Sequence, residues 1–487
     1  MDSSFDWSAL KSGTDLRGVA SGDARAHTLT EERARQIGAG FSLWLSNMQK
    51  ARVVVAVGRD PRISGEKLAR ALREGLCSTG ARVLDVGLST TPALFEITQH
   101  PLTRCDGAVM VTASHLPGER NGFKFITQTG GLDGKQLDEL LAIISKQTAT
   151  HNDDASEYFD FQPYYLESLT AQVYRALGED FPFAELHVIV DASGGSGGFY
   201  ARWLENLGAN TTGSLYLQPD GLFSGHLPNP EDAAAMRSLT NAVLDSGADI
   251  GVILDADCDR AALVAHDGSH LNRERLIALC ADMVIKEEPG AAIVTDSVTS
   301  PSLTQFIERR GGKHRRWKRG YKNVIGEAER LNNSGISCPL AMETSGHAAF
   351  RSNRYLDDGM ALATRLIIEA VVAKRSGMRL IDRVADFNQP LEDCEWRIAV
   401  ELEQDRICAL EKMKEWLNTE FARSVYISPS DEPEGVRAER IARDGWFLLR
   451  ASLHDPLLVW SAQSYAPGVV ELMRHDLTRA CSINLSV

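Results

Sequence analysis

The sequence predicts a multidomain α/β protein: three comparable α/β units followed by a smaller α+β domain. Three observations carry this. The chain of 487 residues is too long for one hydrophobic core. Apolar runs of strand length alternate with stretches of helical period, and that alternation starts three times along the chain. From about residue 391 the texture changes to a strand, a helix and a hairpin-like stretch.

The first unit opens with the apolar run 52–57, ended by Gly58, Arg59, Asp60 and Pro61. A helix over 64–76, a strand at 82–86, a helix over 91–99, a strand at 107–112 and a helix near 132–147 follow. The second unit starts at strand 186–191, which runs into a glycine-rich segment and a helix reaching about Leu207. Strands near 214–217 and 250–254 then flank a helix near 231–246. The third unit reads as helix 273–285, strand 291–295, helix 301–310, strand 313–317, helix 321–332, strand 337–341 and helix 357–373. Expected boundaries are 1–155, 156–268, 269–388 and 389–487, with a linker at Ala385–Asp393 that carries Pro390.

Composition narrows the function. An apolar share of 43% and a charged share of 24% exclude a disordered or fibrous chain. A net charge of −14 makes the protein a poor general ligand for nucleic acid or an anionic membrane. It leaves room for a phosphorylated substrate in a local basic cleft. The eight cysteines are scattered without a CxxC pair, which speaks against zinc and a disulfide framework and for a reducing compartment. No run reaches 18 apolar residues, and the N-terminus lacks an apolar signal core. The expected location is the cytoplasm or another soluble compartment, including the plastid if a transit peptide has been removed.

The sharpest local signal is Ile250–Arg260, where an apolar strand delivers Asp255, Asp257 and Asp259. Converging carboxylates repel, and a hard divalent cation resolves the repulsion. Magnesium fits best; an acidic surface loop and a structural calcium loop stay open. Arg260 beside the carboxylates suits a phosphoryl group. The second signal is the strand 107–112 ending in Thr112-Ala113-Ser114-His115, with turns at Pro117-Gly118 and Asn121-Gly122 and then Lys124. Ser114 at such a tip suits a nucleophile or a phosphorylated residue, or is a plain polar turn. A hydrolase triad is disfavoured because no GxSxG elbow is present.

Two weaker segments remain. Met342–His347 places Glu343 and Ser345 where they suit vicinal sugar hydroxyls, or form a cap and turn. Arg450, Ser452 and His454 alternate ahead of Pro456 and suit a phosphate. Asp191–Gly198 lacks the GxGxxG pattern of a dinucleotide site. The basic run Lys313–Arg319 reads as a wall of a phosphate-binding cleft, a solvated strand end or a short nucleic-acid contact.

Taken in order, the four loops resemble those of the α-D-phosphohexomutase family. Thr112-Ala-Ser-His-Leu-Pro117 is similar to TASHNP, and Asp255-Ala-Asp-Cys-Asp-Arg260 to DGDGDR. Met342-Glu-Thr-Ser-Gly-His347 is similar to GEMSGH, and Arg450-Ala-Ser-Leu-His-Asp-Pro456 to R-x-S-x-T-x-P. Ser12–Gly18, Asp220–Phe223, Pro228–Glu231 and Asp357–Gly359 resemble flanking family segments, so the likeness spans about residues 11–465. The departures are Leu116, Ala256, Cys258, Met342 and His454. Ala256 and Cys258 replace glycines, which matters wherever the backbone needs a positive φ.

The resemblance implies four domains around a central cleft, the first three with mixed sheets and the fourth a smaller, mobile α+β domain. It implies an isomerase that moves a phosphoryl group between the 1- and 6-hydroxyls of a hexose. The activity is that of a phosphoglucomutase and/or phosphomannomutase, with a phosphoglucosamine mutase or a weakly catalytic phosphosugar-binding regulator as alternatives. Ser114 would carry the phosphoryl group and, with Asp255, Asp257 and Asp259, hold Mg2+. His115 and Arg260 would hold phosphoryl oxygens. Lys124, assisted by Arg17, would act as general acid/base, which calls for a lowered pKa. Glu343, Ser345 and His347 would bind the sugar, and Arg450, Ser452 and His454 its distal phosphate. Glucose 1,6-bisphosphate would serve as activator and intermediate. The expected partner is the phosphorylated hexose alone, and the expected state a monomer or weak homodimer.

Overall fold

The apolar runs Val54–Arg59, Arg82–Leu88 and Gly107–Val111 form the parallel centre of the first sheet. Arg120–Thr127 adds antiparallel to Gly107–Val111, and Asp15–Val19 adds antiparallel to Arg120–Thr127. The sheet is therefore mixed. This is the computed structural model of the chain; it describes residues 5–23, 27–49, 52–148, 153–429, 432–452 and 456–481. Two units are resolved within it, Met1–Leu276 with Ser345–Asp382, and Ile277–Thr344 with Arg383–Val487.

Helix starts in the first unit follow capping chemistry. Thr90 accepts from Ala93 N–H ahead of Thr91–Gln99, with Pro92 in the first turn. Asp133 and Gln136 form a capping box on Gly134–Ile144. Asp232 caps Ala233–Ser246, and Gly247 closes it at φ 61°. A helix absent from the sequence reading, Glu31–Gln49, packs on Gly65–Ser78. Gly38 and Gly75 make that approach close: a Cβ at Gly38 would lie 2.2 Å from the Leu72 carbonyl oxygen, and one at Gly75 2.1 Å from that of Arg35. The buried Arg35–Glu74 pair, 2.6 Å apart, ties the same two helices. Leu68, Leu72 and Leu76 point from this interface into a core shared with Phe41, Val55 and Phe123.

The second sheet holds Val188–Asp191 parallel to Ile250–Leu254, which pairs antiparallel with Ala261–Ala265. The strand expected near 214–217 is not formed. Only an isolated bridge joins Leu215 to Asp191, because Gly213 and Tyr216 stand at φ 95° and 46° and break the extended run. The helix Gln162–Leu177, also absent from the sequence reading, ends at Gly178 in the left-handed conformation. Tyr165 on this helix donates to Asp358, the cap of Gly359–Arg375.

In the second unit, Lys313–Trp317, Ala292–Asp296 and Leu340–Met342 are parallel neighbours. A separate antiparallel sheet orders Glu392–Ala399, Leu457–Ser464, Gly445–Ala451, Val436–Arg440 and Tyr426–Ile427. Its first strand begins inside the expected linker. The fully buried Arg437 donates to the carbonyls of Ser297 (3.1 Å) and Thr299 (3.0 Å) and stacks over Trp446 at 4.0 Å. The basic run is consumed locally. Arg315 pairs with Glu327, and Arg316 donates to the Thr299 and Ser300 carbonyls and to Thr304.

Candidate active site

Strand pairing in the first unit delivers the serine loop and Lys124 together. Gly107–Val111 is buried throughout and ends where Thr112–Ser114 begins. The chain returns as Arg120–Thr127, which sets Lys124 opposite Met110 and Gly122 opposite Arg17. Gly122 is required there: a Cβ would lie 2.4 Å from the Leu16 carbonyl oxygen and 2.9 Å from the Arg17 side chain.

The carboxylates come from the turn between Ile250–Leu254 and Ala261–Ala265. The strand ends at Leu254, so Asp255, Asp257 and Asp259 converge instead of alternating, with one oxygen of each within 4.8 Å of the others. Cys258 sits at φ 63°, so of the two replaced glycine positions this one uses a left-handed backbone; Ala256 does not. The Cys258 N–H donates to the Asp255 carbonyl, which closes the turn.

Ser114 joins the cluster. Its hydroxyl donates to Asp255 Oδ2 at 2.9 Å and accepts from Arg260 Nη2 at 3.1 Å. Arg260 Nε also donates to Asp255 Oδ2 at 3.0 Å, and His115 Nδ1 lies 3.3 Å from the Ser114 oxygen. Lys124 Nζ donates to Asp257 Oδ2 at 2.7 Å and also contacts Asp259 Oδ2. Arg17 pairs with Asp15 at 2.9 Å. His347 Nε2 lies 3.7 Å from Asp259 Oδ2, and its Nδ1 is 2.8 Å from Ser345 Oγ.

The electrostatics follow from burial and these neighbours. Burial, then the Asp259 carboxylate, push Asp255 well above the usual carboxylate range against the pull of Arg260. Burial works the same way on Asp259, but Lys124 and His347 outweigh it and hold Asp259 well below that range. The Arg260 guanidinium, then burial and Arg17, push His115 down and keep it neutral. The neighbouring carboxylates act on Lys124 against the expectation of a lowered pKa. Burial alone would lower it, but Asp257 and Asp259 together outweigh burial and raise it.

The donor set fits a hard divalent cation. Asp257 Oδ1 and Asp259 Oδ1 are buried with no hydrogen-bond partner, an arrangement that costs about 1–3 kcal/mol per group unless a ligand answers it. Three carboxylates are the chemistry magnesium prefers. Sequence reasoning missed Thr91, whose hydroxyl donates to Asp257 Oδ2 and whose N–H donates to the Asp257 carbonyl at 2.9 Å. With Lys124 on the same oxygen, Oδ1 is left to face the cluster. In the sequence Thr91 reads only as part of a helix start.

The other expected residues belong to the second unit. Glu343 Oε1 accepts from Gly320 N–H at 2.7 Å, and Thr344 beside it donates to Asp296 at 2.8 Å. Arg450 is 5% exposed, and its Nε has no hydrogen-bond partner. Burial, then the nearby Arg319 guanidinium, hold Arg450 below the usual arginine range. Arg319 lies 3.9 Å from Asp296 and 3.8 Å from Glu395, and its N–H donates to Glu434. Ser452 N–H donates to the Leu457 carbonyl at 2.9 Å. His454 lies outside the described residues.

Family models for phosphoglucomutase/phosphomannomutase alpha/beta/alpha domains I, II and III match residues 11–151, 163–268 and 272–389. The phosphomannomutase/phosphoglucomutase of Pseudomonas putida is 31% identical over 91% of this chain and 89% of its own length. This chain belongs to the phosphoglucomutase/phosphomannomutase family. Another member, the phosphoglucomutase/phosphomannomutase of Thermococcus kodakarensis, is 31% identical over 91% of this chain and 92% of its own. A crystal structure of a family protein from Burkholderia thailandensis superposes with a TM-score of 0.80 at 26% identity, covering 96% of both chains. The chain is thus an α-D-phosphohexomutase, an enzyme of the isomerase class, with α/β domains followed by a smaller domain built on an antiparallel sheet.

Proposed function

We propose that this phosphohexomutase interconverts hexose 1-phosphate and hexose 6-phosphate, with glucose and mannose as the sugars, through phosphorylated Ser114 and a hexose 1,6-bisphosphate. The observation that carries the reading is the Ser114 hydroxyl held between Asp255 and Arg260 in a buried cluster where one oxygen of Asp257 and one of Asp259 have no hydrogen-bond partner. A buried hydroxyl shared by an acid and a fixed guanidinium suits a carrier of phosphate better than a simple turn.

Asp255, Asp257 and Asp259, with Ser114, hold magnesium, which when bound neutralises charge on the phosphoryl group. Arg260 and neutral His115 donate to phosphoryl oxygens. Lys124, with Arg17 nearby, exchanges a proton with the hydroxyl that gives or takes the phosphoryl group. Glu343, Ser345 and His347 bind ring hydroxyls, while Arg450, Ser452 and His454 grip the phosphate that is not reacting. The phosphoryl group passes from Ser114 Oγ to a sugar hydroxyl, the bisphosphate turns end for end, and its other phosphoryl group returns to Ser114. Glucose 1,6-bisphosphate, which can phosphorylate free Ser114, is the expected activator.

The deciding experiment is a matched kinetic comparison across glucose, mannose and N-acetylglucosamine phosphates, with a trace of glucose 1,6-bisphosphate. Isomerisation of glucose or mannose phosphate is expected. Binding without turnover would favour a phosphosugar sensor, and preference for the amino sugar would move the substrate. Intact mass of the purified protein should show an adduct of about 80 Da on Ser114; full activity with the adduct elsewhere would remove its carrier role.

Two substitutions probe the edges of the site. Thr91→Val should weaken Mn2+ binding, read by paramagnetic resonance, by about tenfold, because it frees Asp257 to rotate. Arg450→Lys should raise the fraction of bisphosphate escaping in a single turnover, because an ammonium lacks the two parallel donors of a guanidinium. Unchanged metal affinity in the first, or unchanged escape in the second, would count against these roles.

A further inference from the structure

Ser114 is the tip of a loop held in an unfavourable backbone conformation, at φ 52°. A serine there is disfavoured relative to a right-handed conformation because its Cβ crowds the following carbonyl oxygen, so something must hold it. The holding group lies outside the four motif loops. Arg62, with its side chain fully buried, donates from Nη2 to the carbonyls of Ser114 (2.6 Å) and Leu116 (2.7 Å). Its Nη1 donates to the carbonyls of Pro117 (2.6 Å) and Arg120 (3.0 Å), and its Nε to Asp60 Oδ2 at 2.9 Å. One guanidinium thus collects four carbonyls of a single loop and one carboxylate.

Asp60 extends the clamp to the other side of Ser114. Thr112 Oγ1 donates to Asp60 Oδ2 at 2.7 Å and accepts the Ser114 N–H at 2.8 Å. The Asp60 N–H donates to the Val111 carbonyl at the end of the strand that leads into the loop. Both peptide groups of Ser114 are therefore fixed, the N–H through Thr112 and Asp60 and the carbonyl through Arg62. The carbonyls of residues 114, 116, 117 and 120 are turned onto a cation. Left unpaired, such oxygens would be expensive to bury and would repel a phosphate.

We propose that Asp60 and Arg62 are positioning residues for Ser114, setting the angle at which its phosphoryl group meets the accepting sugar hydroxyl. Neither is hydrogen-bonded to the Ser114 hydroxyl, whose partners are Asp255, Arg260 and His115. The role rests on the phosphohexomutase reading above and goes beyond it. A misaimed phosphoserine transfers slowly to a fixed acceptor, whereas water, free to approach from other directions, suffers less. Loosening the clamp therefore shifts the partition of the phosphoryl group from sugar to water.

The test uses full-length protein radiolabelled at Ser114 with labelled glucose 1,6-bisphosphate, followed in a single turnover with glucose 6-phosphate and separately in buffer alone. Arg62→Lys keeps the charge but loses the planar fork. It should slow transfer to sugar by about tenfold or more, since small misplacements of a reacting group have effects of that order. The KM for glucose 6-phosphate should stay within about twofold, because the proposed sugar and distal-phosphate contacts lie in other loops. The share of label released to water should rise severalfold. Thr112→Val, which keeps Arg62 and removes both the acceptor of the Ser114 N–H and the donor to Asp60, should move the partition in the same direction and decides the matter if Arg62→Lys does not fold. A merely structural role would lower both routes together by reducing the folded fraction, and would leave their ratio alone. An unchanged ratio in a folded variant overturns the proposal. Absence of isomerisation in the unmodified protein overturns the activity itself, and is visible before any variant is compared.

Discussion

Ser114→Ala is expected to lower hexose phosphate isomerisation by at least about a thousandfold, the scale on which loss of a nucleophile acts. The hydroxyl is the group proposed to accept and return the phosphoryl group. Its removal leaves Arg260 and Asp255 paired with each other, with Arg260 Nη2 still 3.0 Å from Asp255 Oδ2. The fold should hold, so the thermal midpoint should change little while the adduct of about 80 Da disappears. Kinetics with glucose 1-phosphate, intact mass and a melting curve on the same preparation check all three. Retention of a tenth of the activity would show that the phosphoryl group travels by another residue.

Asp257→Ala should cost at least about a hundredfold in turnover, of the order seen when electrostatic support of a transition state is lost. This carboxylate has two duties. Its Oδ1 is a buried oxygen with no hydrogen-bond partner, and its Oδ2 accepts from Lys124 and Thr91. The alanine removes a proposed metal ligand and one of the two carboxylates that neutralise Lys124. Mn2+ affinity should fall together with turnover, and magnesium at high concentration should restore only part of the activity. Full turnover at saturating magnesium would remove Asp257 from the metal site.

The motif loops were legible because each packs its chemistry into consecutive residues. Asp255, Asp257, Asp259 and Arg260 lie within one turn of the chain, so their convergence needs only the strand to end at Leu254. Most strands were legible for a similar reason: Gly107–Val111 and Ile250–Leu254 are apolar at nearly every position because both faces are covered. Where local signals conflicted, the reading failed. Glu31–Gln49 carries Gly38 and Gly40, which lower helix propensity, yet Gly38 lets a second helix approach to a distance no side chain allows. The run at 214–217 looked like a strand, but Tyr216 adopts a left-handed backbone.

The direction of the Lys124 pKa has the same origin. Sequence places a lysine near a serine, and catalysis by a lysine suggests a lowered pKa. The direction is set instead by Asp257 and Asp259, which lie 133 and 135 residues away along the chain. By itself the sequence determined the class of chemistry, the carboxylate triad, the serine tip and the succession of α/β units. These depend on residue types and short spacings that survive without coordinates. Only the tertiary structure decided which atoms answer one another: Thr91 with Asp257 across 166 residues, Arg62 with the Ser114 carbonyl across 52, and Arg260 with the Ser114 hydroxyl across 146. Those pairings arise because strand order and register bring distant segments together, and no local pattern in a chain encodes the distance between two loops that meet only when both sheets have formed.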